Sequence, residues 1–245
     1  MSKVACILPD ASLAQQAQLV FKGQHSDIRI RTGLLKEAVE ISKQLVSDGY
    51  EVIISRGMTA AMIEEGQPEL SVVKVPFTVL DILQTIERAK FLGKRVGVVA
   101  FTPMIMNLDH FDSILGATTH FFPVENEYEV EPNVLAAIKN GADIIVGGVI
   151  MGKAAHKYGV PFAIIENSPE SLQQAAREAK NIAQARKQEK AKGNLFKAVL
   201  DYASDGVISV NADGIITVFN PVAEKFSRIV ATDAIGKHIQ QVWPE

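Results

Sequence analysis

Over the first two thirds of the chain, short apolar runs alternate with longer segments whose apolar positions recur every three to four residues. This alternation constrains the fold more than any other feature, because it is the mark of parallel βα units and excludes an all-α or all-β chain. The runs predict strands at 4–8, 27–31, 51–55, 72–75, 95–100, 118–123, 143–146 and 161–165. Most are continuously apolar, as strands are when helices cover both faces of their sheet. Their number predicts two sheets. Between them, 34–48 reads as an amphipathic helix, with Leu34, Leu35, Ala38, Val39, Ile41 and Leu45 on one stripe and Gly49 as its stop. Further helices are expected at 58–66, 80–92, 104–115, 132–140, 150–158 and 168–190.

The natural division follows Val75-Pro76-Phe77, where Pro76 favours an extended entry and the next helix can cross into a second βαβ set starting at Arg95. A second hinge is expected at Glu166-Asn167-Ser168-Pro169, with Ser168 as helix cap and Pro169 in the first turn. The helix it opens can return to the first lobe. The expected architecture is α/β, two Rossmann-like (flavodoxin-like) lobes whose parallel sheets face a cleft, the usual place for a small ligand. The first lobe takes residues 1–77 plus the returning helix 168–192, and the second takes 78–167.

The helix from Ser168 keeps an apolar seam through Leu172, Ala175, Ala179 and Ile182, then loses it at Arg186 and Glu189. A uniform coiled coil does not fit that pattern. Residues 185–193 read as a solvated helical linker ending near Gly193. Beyond it the pattern changes to two β-like runs, 206–210 and 215–219, around Asn211-Ala212-Asp213-Gly214, which is hairpin turn chemistry. Asn220-Pro221 then opens a short helix. No internal repeat is evident.

Composition narrows the function classes. At 47% hydrophobic and 22% charged residues, the 245-residue chain is an ordinary globular one, not a disordered or fibrous one. A net charge of −3 provides no positive field for nucleic acid or an anionic membrane, so a small molecule or another protein is the expected partner. Cys6, the one cysteine, lies in an apolar run and can form neither an internal disulfide nor a Cys-rich zinc site. No run of about 18 apolar residues occurs, and Met1-Ser2-Lys3 leads directly into a strand without a signal-peptide core. The expected compartment is the cytoplasm.

Ligands of open α/β sheets bind at the carboxyl ends of strands. Of the loops there, Ser55-Arg56-Gly57-Met58-Thr59 is the most informative: a strand ends, a glycine allows close approach, and a helix begins with its N–H groups unpaired. Arg56 either offers its planar fork to a carboxylate or phosphate, or belongs to a plain tight turn and points to solvent or pairs across the lobe interface. Gly147-Gly148 has the same context in the second lobe, and Thr102 is placed to donate a hydroxyl from there. These eight residues, Ser55, Arg56, Gly57, Met58, Thr59, Thr102, Gly147 and Gly148, form the candidate ligand site. No phosphate-binding P-loop, dinucleotide fingerprint or Gly-x-Ser-x-Gly elbow is present. The five histidines lack metal-ligand spacing. Asp109, His110 and Asp112 read as a polar helix face, and Glu125, Glu127, Glu129 and Glu131 as a solvated loop. No catalytic residue, metal or cofactor is expected.

Val52-Ile53-Ile54-Ser55-Arg56-Gly57, Val73-Lys74-Val75-Pro76 with the following Asp81-Ile82-Leu83 helix, Lys94-Arg95-Val96-Gly97-Val98-Val99, and Gly141-Ala142-Asp143-Ile144-Ile145-Val146-Gly147-Gly148 occur in a telling order and spacing. Through them, residues 1–190 resemble the receptor domain of the propionate catabolism regulator family, the sensory module of sigma-54-dependent transcriptional activators. Residues 195–245 resemble the opening of a PAS domain through Asp205-Gly206-Val207-Ile208, Asp213-Gly214-Ile215-Ile216 and Asn220-Pro221-Val222-Ala223-Glu224. The resemblance implies a two-lobed receptor for an organic-acid effector, a linker helix and a partial α+β PAS domain at 193–245, truncated before its sheet is complete. It implies sigma-54 RNA polymerase and DNA as partners through ATP-hydrolysing and DNA-binding regions not in these residues, and a homodimer is expected through the long helix and PAS because signals passed along helices often act at subunit interfaces. The alternative from the residues themselves is a two-lobe isomerase or racemase of a small carboxylic acid. A two-cysteine racemase would need a second thiol.

Overall fold

The structure is a computed structural model that describes residues 3–101 and 115–243. Contacts divide the chain into two compact units, Met1–Gln184 and Ala185–Glu245.

In the first unit, strands β1 (Lys3–Leu8), β2 (Arg29–Thr32), β3 (Tyr50–Ser55) and β4 (Ser71–Lys74) form a parallel sheet in the order β2-β1-β3-β4. A second parallel sheet, β6-β5-β7-β8, is built from β5 (Arg95–Phe101), β6 (Thr118–Val124), β7 (Ile144–Gly147) and β8 (Phe162–Ile164). The strand order is the same in both, so the lobes repeat one topology although their sequences show no repeat.

Alternation along each strand decides which helices lie where. Val4, Cys6 and Leu8 of β1 pack with α1 (Ala11–Phe21) and α7 (Pro169–Asp201), through Leu13, Ala17 and Phe21 and through Leu172, Ala175, Ala176, Ala179 and Ala183. Ala5 and Ile7 point the other way, onto α2 (Lys36–Ser47) and α3 (Gly57–Gly66) through Ala38, Leu45 and Ile63. In the second lobe, Val96, Val98 and Ala100 face α4 (Val79–Ala89) through Ile82, Ile86 and Ala89. Val99 faces α5 (Val130–Lys139) and α6 (Val149–Lys157) through Val134, Ala137, Met151 and Ala155.

The crossovers are therefore reciprocal. Helix α4 follows the first sheet and covers the second, and α7 follows the second sheet and covers the first. One carboxylate holds both starts together. Buried Asp81 accepts the Thr78 N–H on Oδ2 at 2.8 Å, completing a capping box at α4, and the Ser168 N–H on Oδ1 at 3.1 Å at the head of α7. Asn167 adds a bond from its Nδ2 to the Pro76 carbonyl at 2.9 Å, so the two crossing segments lie side by side.

Three sequence expectations need correction. Helix α1 was not expected, although Asp10 caps it by accepting the Leu13 N–H at 2.9 Å. Gly193 does not end the long helix, which continues to Asp201; a glycine in a helix costs about 1 kcal/mol against alanine, which its alanine, lysine and leucine neighbours offset. Strand β2 begins at Arg29, two residues later than expected, because the His25 carbonyl accepts the Ile28 N–H at 3.0 Å in a turn. The expected helix 104–115, with Asp109, His110 and Asp112, lies outside the described residues, apart from Leu115.

In the second unit, β9 (Ile208–Val210) and β10 (Ile216–Phe219) form the expected antiparallel hairpin. Its turn is held by Asn211 Oδ1, which accepts the N–H groups of Asp213 and Ile215, and by Gly214 at φ +73°. Helix α8 (Pro221–Ser227) starts at Asn220, whose Oδ1 accepts the Ala223 and Val207 N–H groups while its Nδ2 donates to the Leu200 and Asp205 carbonyls. One buried amide thus ties the hairpin, the end of α7 and α8 together. Helices α9 (Ala231–Ala234) and α10 (Ile239–Val242) close a small core on Ile216 and Phe219.

Candidate functional site

The third strand of each lobe ends in the turn that the site residues occupy. After β3 the chain passes through Arg56, extended at φ −137°, into Gly57 at φ +53°, a left-handed conformation in which a side chain would be strained. Helix α3 then starts with no side-chain cap, and the N–H groups of Gly57, Met58 and Thr59 find no acceptor among the described residues. After β7, Gly147 comes so close to β5 that a Cβ there would stand 2.4 Å from the Val99 carbonyl oxygen. Gly148 then starts α6, again with no side-chain cap. The two uncapped N-termini, one from each lobe, line one small cleft of about 50 Å³. Phe77, Phe101, Leu34, Met58, Ile150 and Met151 supply much of its apolar wall.

Arg56 is the charged group in that wall among the described residues, and it is only 4% exposed. Its guanidinium donates to the Asn167 side-chain oxygen at 2.8 Å and to the Ile165 carbonyl at 2.7 Å, and its face lies on the Phe77 ring, 4.2 Å from the centroid. Both hydrogen-bonded partners are neutral. No carboxylate lies within 4.0 Å of it among the described residues. Burial pushes its pKa down to about 10, against the opposing pull of Asp10, Asp81 and Glu166. It stays charged at neutral pH, with three of its five N–H groups not used in those two bonds.

The other predicted residues divide. Met58, Thr59, Gly57 and Gly148 line the cleft with Arg56, and Gly147 sets the approach of its turn. Ser55 is buried with its hydroxyl donating to the Ile7 carbonyl at 2.8 Å, a bond between neighbouring strands. The Thr59 hydroxyl accepts the Leu35 N–H at 3.4 Å. Thr102 lies outside the described residues. Phe77, Phe101 and Ile165 also line the cleft, outside the eight residues expected there; Phe77 and Phe101 belong to loops at strand carboxyl ends that the sequence offers as ligand positions, and Ile165 does not. Sequence reasoning missed Asn167 as the partner of Arg56.

No group of three or more histidine, cysteine or acidic side chains that could hold a metal exists among the described residues. Glu131 is paired with Lys157 and Tyr158, which hold its carboxylate below the usual range, the Lys157 hydrogen bond first. No helix among the described residues is long and apolar enough to cross a membrane.

Comparison with solved structures finds the fold again in an NtrC-family transcriptional regulator from Clostridium acetobutylicum, 24% identical, with a TM-score of 0.69 over 76% of this chain and 98% of that one. More distant are an ABC domain in complex with L-Trp from Streptococcus pneumonia (14% identity, TM-score 0.42, 76% and 85% covered) and a putative Asp/Glu racemase from Yersinia pestis (11%, 0.27, 74% and 99%). No curated protein matches the chain. The family model described as propionate catabolism activator matches residues 22–189, and the PAS fold matches 194–245. With its two lobes and the hairpin unit that follows, the chain belongs to the propionate catabolism activator family, its sensor domain followed by PAS residues.

Proposed function

We propose that the cleft binds a small anionic effector, and that binding biases the arrangement of the lobes and, through α7, the PAS unit of a transcriptional regulator. The observation that carries this reading is the buried charge of Arg56, held by neutral partners beside two uncapped helix N-termini. Keeping that charge from water costs on the order of 3 kcal/mol, judged from its pKa of about 10. An anion on its free N–H groups and on the helix N-termini offsets that cost. Arg56, Gly57, Met58, Thr59 and Gly148 are the proposed contacts, with Ser55 and Gly147 shaping the two turns and Thr102 as a further donor.

The effector shifts the lobes only so far as it binds their arrangements differently. Asp81 and Asn167 make such coupling local, since the same side chains join the start of α7 to the crossover between the lobes. The proposed units are 1–77 plus 168–192, 78–167 and 193–245. Homodimerisation, a cytoplasmic location, and action on sigma-54 RNA polymerase and DNA through further regions belong to the same proposal. Enzymatic racemisation through a thiol is a poorer fit, because Cys6 is the one cysteine and burial pushes its pKa to about 12.

A thermal-shift screen of organic acids, sugar phosphates and nucleotides tests the reading, run on the native chain, Arg56→Ala and Arg56→Lys. An effector at a hundredfold excess over Kd adds about 2.7 kcal/mol of stability. Arg56→Ala should lose most of that gain. Equal shifts in all three proteins would remove Arg56 from the site.

A further inference from the structure

Arg56 follows β3 of the first sheet, yet its hydrogen bonds go to Ile165 and Asn167, which follow β8 of the second. Its face lies on Phe77, which follows β4 of the first. The guanidinium thus touches both segments that cross between the sheets. We infer that Asn167 is the positioning residue of the cleft: with one amide it aims the Arg56 fork and ties it to both crossovers, so that a change at the guanidinium is felt at the heads of α4 and α7 together. That an effector supplies such a change rests on the anion reading above; the joint itself does not.

An arginine fork carries N–H donors and no acceptor, so Asn167 can meet it only with its side-chain oxygen. That leaves the Nδ2 end for the Pro76 carbonyl, 2.9 Å away. Each bond fixes the side-chain orientation that the other needs. The backbone of Asn167 is engaged as well. Its carbonyl accepts from Gln16 Nε2 of α1 at 2.9 Å, and the next N–H, that of Ser168, lies on Asp81. Only 2% of Asn167 is exposed, so an oxygen released by Arg56 finds little water to replace that partner. The choice of amide also matters for charge. A carboxylate in its place would neutralise the guanidinium and set an oxygen against the Pro76 carbonyl, whereas asparagine holds the fork and leaves its charge uncancelled.

Native-state hydrogen exchange of the 245-residue chain tests the inference, compared with Arg56→Met, Asn167→Ala and the double variant. The amides to follow are Thr78, Asp81 and Ile82 at the head of α4, and Ser168, Ser171 and Leu172 at the head of α7, with Ile54 and Val98 of the two sheets as references. Each single variant should speed exchange about tenfold at both heads relative to the sheets. The double variant should exchange no faster than the faster single one, because either change already breaks the same link. A purely structural Asn167 would instead multiply its effect with that of Arg56→Met, to roughly a hundredfold, and that result overturns the inference. So does an effect confined to one head, or none at either. Should Arg56→Met lack a cooperative melting curve, Arg56→Lys takes its place, since it keeps the charge and loses the fork. No ligand is added, so each of these failures leaves the anion reading standing; that reading falls instead if Arg56→Ala keeps the acid-induced thermal shift of the native chain.

Discussion

The two lobes share one strand order and divide the work at the same turn. At the end of β3 the first lobe presents a buried arginine; at the end of β7 the second presents two glycines and backbone alone. The first turn is open, with nothing within 4 Å of a Cβ on Gly57, whereas the second is pressed against β5 at Gly147. Topology is thus repeated while chemistry is not. A repeated fold brings two helix N-termini to face one cleft, and the first lobe adds a charged side chain to it.

The sharpest way to break this comparison is to add the same methyl group to both turns. Gly147→Ala puts a Cβ 2.4 Å from the Val99 carbonyl oxygen, where neither backbone can yield cheaply. A loss of about 3 kcal/mol is expected in urea titration. Gly57→Ala meets no atom and incurs only its left-handed φ of +53°, roughly 1 kcal/mol. Comparable losses at the two sites would mean that the turns are not packed differently.

Next in size is Asp81→Asn, which tests whether the lobes share one joint. The amide can accept at one of the two N–H groups that the carboxylate serves and leaves the other unpaired. The expected loss is about 2 kcal/mol, with faster proteolysis near both crossovers at once. Cleavage confined to one crossover would show the joint to be two independent caps.

The smallest effect separates the lobes by acid. In the first lobe His25 is buried, and neither ring nitrogen has a hydrogen-bond partner among the described residues; His120 and His156 of the second lobe are exposed. Burial lowers the His25 pKa, with Lys180 and Arg177 adding to the shift and Asp27 opposing it. The unfolded chain therefore binds this proton before the folded one does. Stability is full above the unfolded value of about 6.5 and falls as pH drops below it, by at most about 1.4 kcal/mol per pH unit for one proton. Melting curves from pH 7.5 to 5.0 should show that loss in the native chain and a smaller one in His25→Phe. A slope unchanged by the substitution would place the acid sensitivity elsewhere.

The sheets could be read from sequence because their inner strands β1, β3, β5 and β7 are near-continuous apolar runs separated by helical patterns. Helix α1 was lost for a comparable local reason: its buried face is Leu13, Ala17 and Phe21, a stripe thinned by alanine and glutamine, and only the Asp10 cap marked its start. The helix end near Gly193 was misplaced because one weak residue was weighed against neighbours that favour helix together. At the candidate site, the sequence named two turns that the structure brings to one cleft, and left the partners of Arg56 open. Its partners, Asn167 and Ile165, lie 111 and 109 residues away, a separation that local chemistry cannot bridge. The shared strand order was invisible for the same reason, since topology repeats through register and crossover while side chains diverge.

The reciprocal crossovers also govern when each lobe can finish during synthesis. The second lobe is built from a contiguous stretch, from α4 through β8, and needs nothing made later to cover the α4 face of its sheet. The first lobe lacks the cover of α7 on one face, and Leu172 through Ala183 emerge only after the whole second lobe. At roughly 5–20 residues per second, the hundred or so residues between β4 and that helix keep Val4, Cys6, Val52 and Ile54 without the cover of α7 for on the order of ten seconds. The N-terminal half of this sensor is thus the last part of it to close, and a ribosome that stalls within the second lobe leaves one face of the first sheet with α1 as its helical cover and without α7.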